Sequence, residues 1–197
     1  MNRPAPGSGA SLPVLAIVGA SGAGKTTLLC RLLPVLAAAG LRVGAVKQAS
    51  ARFDLDVPGR DSERLRRAGL VRTLASAANQ TALIEERAPG PEVSDYALAD
   101  ALGWLDADAL DLVLVEGYAR AALPKLEVLR RDGPMRRYHL DDPWVRAVLA
   151  DHAPEPAPAV PRLDLADTAA IAGWILAFRT DFLARRGASA AATVSGD

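Results

Sequence analysis

The sequence predicts an α/β fold of three layers, in which a mostly parallel sheet is flanked by helices and carries one antiparallel hairpin. Short apolar runs that suit strands buried on both faces alternate with segments of helical period. A glycine-rich loop follows the first of these runs. Half of the 197 residues are apolar but only 5% are aromatic, which favours an aliphatic core of helices packed on a sheet.

The first strand is predicted at 13–18, where a continuous apolar run ends at the glycine-rich loop. Over 26–39 leucines recur at helical spacing and Gly40 supplies a stop, so this segment is predicted as the first helix. Cys30 lies among these leucines and is interpreted as a small buried hydrophobic residue. The second strand is predicted at 41–47.

The middle of the chain predicts a helix followed by a hairpin. Asp61 or Ser62 can cap a helix that ends at Ala68. The strand-like runs 71–76 and 81–86 are separated by only four residues. A parallel return would need a crossover of a dozen or more residues, so these two strands are predicted to pair antiparallel.

A third group of elements is predicted in the C-terminal half. A helix over 94–104 leads into a strand at 112–115, and further strands are expected at 125–129 and 145–150. The last helix begins near Asp167 and carries an apolar stripe that is interpreted as core packing rather than cofactor contact. The stripe consists of Ile171, Trp174, Ile175, Phe178 and Phe182.

The chain is expected to form one domain at 12–186 between two flexible tails, 1–11 and 187–197, which are small, polar and without period. Basic and acidic residues number 23 each, so no overall field attracts nucleic acid or an anionic membrane. No run suits a signal peptide or a membrane span, and one cysteine fits a reducing compartment. A cytoplasmic location is therefore expected.

Gly19 to Thr26 match the pattern G-x-x-x-x-G-K-[ST] between a predicted strand and a predicted helix, as a P-loop NTPase requires. Backbone N–H groups of such a loop surround a phosphate, Lys25 would hold its oxygens, and the Thr26 hydroxyl would coordinate Mg²⁺. A dinucleotide fingerprint fits less well, because the third glycine is missing. The expected nucleotide-binding residues are Gly19, Ser21, Gly22, Ala23, Gly24, Lys25, Thr26 and Thr27.

Glu116 follows the apolar run 112–115 directly. A carboxylate at the C-terminal end of a central strand lies where open α/β sheets bind ligands. Glu116 is therefore a candidate Mg²⁺ ligand or a group that positions the attacking water, and together with Lys25 it forms the candidate catalytic pair. The alternative interpretation is a solvated loop acid.

Five segments of the chain, taken in sequence order, resemble the MobB family of molybdopterin-guanine dinucleotide biosynthesis proteins. The third segment (Phe-Asp-Leu-Asp-Val-Pro-Gly-Arg-Asp-Ser) and the fifth (Leu-Pro-Lys-Leu-Glu-Val) are the specific ones, since many NTPases share the phosphate loop. The likeness covers roughly residues 13 to 130. The segments lie at 19–27, 42–47, 53–62, 112–118 and 123–128.

The resemblance implies a homodimeric accessory protein that binds GTP and Mg²⁺, has weak GTPase activity and assists the attachment of GMP to molybdopterin. A MobA-type transferase would perform the nucleotidyl transfer itself. Carried over by position, Glu116 would be the acidic residue that contacts the Mg²⁺ ion or the attacking water. Further candidate switch or substrate contacts are Asp54, Asp56, Arg60, Asp61 and Lys125.

Base choice stays open in the sequence. An Asn-Lys-x-Asp guanine signature is missing from the chain, and Asp151, after the strand at 145–150, is a candidate substitute contact. The alternative functions are a small-molecule P-loop kinase that uses ATP, and a binding module whose shape responds to nucleotide. For a kinase the proline-rich segment 151–161 would have to act as a lid, although it contains no arginine.

Overall fold

The computed structural model describes residues 12–48, 64, 67–69, 71–85, 98–133 and 136–194. The chain divides into two compact units, one formed by Met1–Gln48 with Ala97–Asp197 and the other by Ala49–Tyr96. The helices and strands, in chain order, are β1 (Val14–Val18), α1 (Lys25–Ala38), β2 (Val43–Lys47), β3 (Arg72–Ala77), β4 (Gln80–Glu85), α2 (Leu98–Leu102), β5 (Leu112–Glu116), β6 (Lys125–Leu129), β7 (Val145–Ala150), β8 (Arg162–Asp164) and α3 (Thr168–Val194).

The larger unit contains a six-stranded sheet in the order β2-β5-β1-β6-β7-β8. Every neighbouring pair of these strands is parallel. The strands β1, β5 and β6 are buried almost throughout, which explains their continuous apolar sequences. The predicted α/β class with a mostly parallel sheet is confirmed.

One face of this sheet is covered by α1 and α3. Their inward side chains and those of the central strands form the main core: Leu15, Ile17, Leu28, Leu32, Leu36, Leu114, Leu126, Ile171 and Ile175. The predicted core role is confirmed for four residues of the α3 stripe, Ile171, Trp174, Ile175 and Phe178, and the rings of Trp174 and Phe178 stack at 5.8 Å. Cys30, in contrast, is exposed. The prediction that it is buried is wrong, because a position two residues from Leu28 and Leu32 lies on the opposite side of a helix.

The other face is covered by α2 and by irregular segments. Val18, Val113 and Val115 form a second buried cluster there, and Leu98 and Leu102 of α2 pack against it. Helices or loops therefore lie on both faces of the sheet, which confirms the predicted three layers. Helix α2 ends two residues before the predicted end at 104, and the start of that prediction, 94–97, lies outside the described residues.

The smaller unit contains the hairpin of β3 and β4. The two strands pair antiparallel from Arg72 opposite Glu85 to Ala77 opposite Gln80, which confirms the predicted hairpin. An ion pair between Arg72 and Glu85, at 2.9 Å, joins its open end. Most of the predicted helix at 61–68 lies outside the described residues.

Two C-terminal features differ from the sequence prediction. The short strand β8 was not predicted, since three residues after a proline carry too little pattern to be distinguished from a loop. Helix α3 continues to Val194, across most of the segment predicted as a tail from 187, where alanines have a high intrinsic helix propensity. Over the described ranges, no helix has both the length and the apolar character needed to span a membrane.

Candidate phosphate and cation site

The glycine-rich loop at 19–26 joins the end of β1 to the start of α1. Gly19, Gly22 and Gly24 have φ values of 145°, 78° and 89°, a region that is costly for residues with a side chain. Gly24 is the N-cap of α1 in left-handed geometry. Ala23 is buried, whereas Ser21 and Thr27 are exposed. The residues predicted to bind nucleotide thus form one tight turn that ends at a helix N-terminus.

Glycine is required at position 19 for a second reason, which is the closeness of β6. A β-carbon at Gly19 would lie 2.6 Å from the carbonyl oxygen of Val128. This carbonyl belongs to the sheet backbone and cannot move aside at low cost. The start of the loop is therefore held directly against the neighbouring strand.

Lys25 closes the loop on itself. Its Nζ donates hydrogen bonds to the carbonyl oxygens of Gly19 and Ala20, at 2.9 and 2.8 Å. Burial is the main cause that lowers the pKa of Lys25 below its usual value, while the Glu116 carboxylate acts to raise it and Lys47 acts to lower it further. The ammonium group is thus held inside the loop by carbonyl oxygens that phosphate oxygens could replace.

Thr26 and Glu116 are in direct contact. The Thr26 hydroxyl donates to the two carboxylate oxygens of Glu116, at 2.8 and 2.9 Å. The topology explains this, because β5 lies beside β1 and Glu116 is in register with Ile17, two residues before the loop. The Glu116 side chain is only 12% exposed, so it is not the solvated loop acid of the alternative interpretation.

Lys47 completes the cluster, although the sequence pattern does not single it out. Its Nζ lies 2.6 Å from Oε1 of Glu116 and 3.0 Å from Oγ1 of Thr26. Lys47 ends β2 and is in register with Glu116 of the adjacent β5. A signal was available in the sequence: a charged residue ends an apolar strand, and the carboxyl ends of parallel strands share one edge of the sheet.

The turn after β5 fixes the backbone of Glu116. Gly117 and Tyr118 both have positive φ, at 94° and 52°. The Tyr118 N–H donates to Oε1 of Gln48 at 2.7 Å, and the Gln48 N–H donates to the carbonyl oxygen of Glu116 at 2.9 Å. Gln48 therefore connects the end of β2 to the turn and limits the movement of the Glu116 main chain.

The side chains of Thr26 and Glu116 fit a magnesium ion. Hydroxyl and carboxylate oxygens are the hard ligands that Mg²⁺ prefers, beside phosphate oxygens and water. Both side chains already contact a cation, the ammonium group of Lys47. The chemistry of this donor set and its place at the end of the phosphate loop are what a nucleotide-bound divalent ion requires.

Arg130 also reaches the phosphate loop and was not predicted as a site residue. It follows β6, and its Nε donates to the carbonyl oxygen of Ala23 at 3.3 Å. A β-carbon on Gly24 would lie 3.1 Å from its Nη2. The sequence gives little sign of this contact, because Arg130 is one of twenty arginines and is far from the loop along the chain.

Asp151, the candidate base contact, follows β7 at the same edge of the sheet. It accepts hydrogen bonds from the Arg131 N–H and from Nδ1 of His152, both at 2.9 Å, and lies 3.6 Å from Nη1 of Arg130. The hydrogen bond with His152 is the main cause that lowers the pKa of Asp151, and the Arg131 N–H adds to it. Arg130 thus links Asp151 to the phosphate loop.

The structure places Lys125 elsewhere, at the amino end of β6. Its side chain is 1% exposed, and its Nζ donates to Oδ2 of Asp142 at 2.6 Å. It lines an open cavity of about 310 Å³ together with Arg136 and Trp144. Lys125 is therefore not part of the cluster around Thr26. The other candidate switch or substrate contacts, Asp54, Asp56, Arg60 and Asp61, lie outside the described residues.

Glu127 shows what else the segment 123–128 does. Its carboxylate is fully buried and accepts hydrogen bonds from the N–H groups of Tyr138 and His139, at 2.6 and 2.8 Å. Nδ1 of His139 lies 2.7 Å from the same carboxylate. Together with the pair of Lys125 and Asp142, these contacts hold the segment 138–142 on the sheet.

Comparisons with known proteins place the chain in a family. A family model described as molybdopterin guanine dinucleotide synthesis protein B (MobB) matches residues 14–151. A protein of Escherichia coli named molybdopterin-guanine dinucleotide biosynthesis adapter protein is 40% identical over 126 residues, 64% of this chain and 70% of that protein. The Haemophilus influenzae protein of the same name is 33% identical over 141 residues, 72% of this chain and 76% of that protein.

Solved structures of MobB proteins share the fold of this chain. A MobB protein homolog from Bacillus stearothermophilus superimposes with a TM-score of 0.62 and 28% identity, over 85% of this chain and 98% of the other. MobB of Bacillus subtilis has a TM-score of 0.62 at 21% identity, over 85% and 97% of the two chains, and shows likeness of fold alone. With the phosphate loop and the acidic strand end in place, the chain belongs to the MobB family of molybdopterin guanine dinucleotide synthesis proteins.

Proposed function

We propose that this chain is a GTP-binding adapter protein with weak Mg²⁺-dependent GTPase activity that serves the formation of molybdopterin guanine dinucleotide. The observation that carries the nucleotide part is the contact of the Thr26 hydroxyl with both carboxylate oxygens of Glu116, beside the loop that Lys25 closes. The pathway follows from family membership, since two relatives are named adapter proteins of this biosynthesis.

In this proposal each group of the site has one task. Lys25 exchanges the carbonyl oxygens of Gly19 and Ala20 for phosphate oxygens, and the N-terminus of α1 adds its positive dipole. Thr26 and Glu116 would hold Mg²⁺, which would supply neutralisation of phosphate charge when bound. The chain's own residues thus account for phosphate binding and for the position of the cation.

Weak hydrolysis is consistent with the contacts of Glu116. Both of its carboxylate oxygens accept hydrogen bonds from Thr26, and one also pairs with Lys47. A carboxylate in that position is suited to a cation more than to the activation of water.

We place the guanine base near Asp151, because Arg130 joins that residue to the phosphate loop. Asp151 would then accept from the donor groups of the guanine edge.

The partners in this proposal are GTP, molybdopterin or its nucleotide form, a MobA-type transferase and a second copy of the chain in a cytoplasmic homodimer. The transferase carries out the nucleotidyl transfer, and the adapter supplies nucleotide-dependent binding. Sedimentation of the purified chain, alone and mixed with that transferase at high micromolar concentration, tests both contacts. A monomer that forms no complex with or without GTP would contradict this part.

Calorimetric titration with GTP and with ATP, each in the presence of Mg²⁺, tests the nucleotide part. We expect tighter binding of GTP in the unmodified chain. As a matched control, Arg162→Ala removes an exposed cation on the edge strand β8 and should bind GTP as the unmodified chain does. Preference for ATP would favour the kinase alternative, and failure to bind either nucleotide would remove the proposed site.

A further inference from the structure

We propose that the ammonium group of Lys47 acts as an internal substitute for the divalent cation between Thr26 and Glu116, and that Mg²⁺ arriving with nucleotide displaces it. This inference rests on the proposed nucleotide site and adds a means of regulating it. The affinity of the chain for nucleotide would then depend on a competition between a side chain and a metal ion for the same two oxygen ligands.

The geometry supports this competition. Nζ of Lys47 contacts Oε1 of Glu116 at 2.6 Å and Oγ1 of Thr26 at 3.0 Å. These two side chains are the ones whose oxygens fit a divalent ion. An ammonium group and a metal ion cannot occupy the space between the same two oxygens at once, so one has to leave when the other enters.

The position of Lys47 allows it to leave. Its side chain is 59% exposed, whereas that of Glu116 is 12% exposed. Lys47 is the last residue of β2, and β2 is an edge strand of the six-stranded sheet. The side chain can therefore turn into solvent or towards a phosphate without opening the core, while the carboxylate stays in place.

The presence of lysine rather than arginine at position 47 also supports the proposed competition. The chain has twenty arginines and three lysines, so a lysine at this position is unusual for its composition. An ammonium group is a compact, strongly hydrated charge, whereas a guanidinium group is a planar fork that favours two-point contact with a carboxylate. The compact cation is the closer match to a metal ion between two neighbouring oxygens.

Two consequences follow for binding. Without Mg²⁺, Lys47 supplies the positive charge beside the phosphates, so the unmodified chain retains part of its affinity for GTP. With Mg²⁺, the ion first has to displace Lys47, so a higher concentration of free ion is needed. The ratio of the GTP Kd in chelator to the Kd at saturating Mg²⁺ is therefore smaller than it would be without the lysine.

The test measures the Kd of GTP by calorimetry across a titration of free Mg²⁺, for the unmodified chain, Lys47→Gln and Lys47→Arg, with Arg162→Gln as the matched surface control. For each variant we record the free Mg²⁺ concentration that gives half of the change in the GTP Kd. For Lys47→Gln we expect this concentration to fall roughly threefold to tenfold, the range that one partly exposed ion pair supplies. The Kd ratio should rise by a similar factor. Lys47→Arg should lie between the two, and Arg162→Gln should match the unmodified chain.

The outcomes separate the two levels of inference. If Lys47→Gln and the unmodified chain show the same Mg²⁺ dependence while both bind GTP, Lys47 is only a structural contact and the inference is overturned. If Lys47→Gln weakens GTP binding equally with and without Mg²⁺, the lysine binds phosphate directly, which also overturns it. If the unmodified chain binds no GTP at saturating Mg²⁺, the proposed function itself fails. Circular dichroism verifies folding of each variant, and a defect in Lys47→Gln leaves Lys47→Arg to decide by the same Kd ratio.

Discussion

Lys25→Ala is the substitution that best separates nucleotide binding from the stability of the fold. In the structure its ammonium group donates two hydrogen bonds to loop carbonyls, at 2.9 and 2.8 Å. In the nucleotide complex these donors would face phosphate oxygens, and a hydrogen bond to a charged group contributes about 1.5–3 kcal/mol. Loss of one such contact weakens binding roughly 10-fold to 150-fold. Lys25→Ala should therefore raise the Kd of GTP by at least about tenfold.

The same substitution should change the stability of the fold little. The contacts of the side chain with the two loop carbonyls are only partly buried, so we expect the free energy of unfolding in urea to fall by less than about 1 kcal/mol. Calorimetry at saturating Mg²⁺ gives the Kd, and Arg162→Ala again serves as the matched control. A Kd for Lys25→Ala within about twofold of the unmodified value would refute the assignment of the loop.

Three further predictions concern the stability of the larger unit. Gly19→Ala should lower the free energy of unfolding by about 1–3 kcal/mol, because the new β-carbon would meet the Val128 carbonyl at 2.6 Å; an unchanged urea midpoint would contradict the close approach. Lys125→Met should lower the free energy of unfolding by about 3 kcal/mol, because the Asp142 carboxylate loses its cation, and adding Asp142→Leu should recover part of that loss in the same assay. Arg42 donates a side-chain hydrogen bond that holds the pKa of Asp111 at about 2, below its ordinary 3.8, so this carboxylate stabilises the fold above about pH 4 and the gain disappears as pH falls towards 2. Acid unfolding followed by circular dichroism should therefore be less steep in Asp111→Asn over that range, and equal slopes would refute this role.

Most of the larger unit could be predicted from the sequence because its local patterns agree with the final fold. The strands at 125–129 and 145–150 have the predicted bounds, since each is a short apolar run between turn-forming residues. The hairpin was predictable from the short separation of its strands. The exposure of Cys30 was not predictable, because a leucine-rich helix has apolar residues on more than one face, and only packing decides which face is buried.

The site itself was predictable only where one segment carries the whole signal. The phosphate loop is such a segment, and Glu116 ends its strand as the pattern indicates. Arg130 becomes a neighbour of the loop only through the crossover that places β6 beside β1. No local pattern records such a neighbour, because the contact depends on strand order and register.

The three lysines show how the chain uses a scarce residue type. Lys25 donates to two carbonyl oxygens of one turn, Lys47 contacts a hydroxyl and a carboxylate, and Lys125 pairs with a carboxylate while almost fully buried. Lys25 and Lys47 each have two oxygen acceptors around a single nitrogen, an arrangement that suits an ammonium group better than a planar fork. Since the other twenty cations are arginines, replacing any of the three lysines by arginine keeps the charge but changes the shape of the donor. If compact shape is what each position requires, Lys25→Arg should weaken nucleotide binding, Lys47→Arg should compete less with Mg²⁺ and lower the Mg²⁺ concentration that GTP binding needs, and Lys125→Arg should lower the urea midpoint.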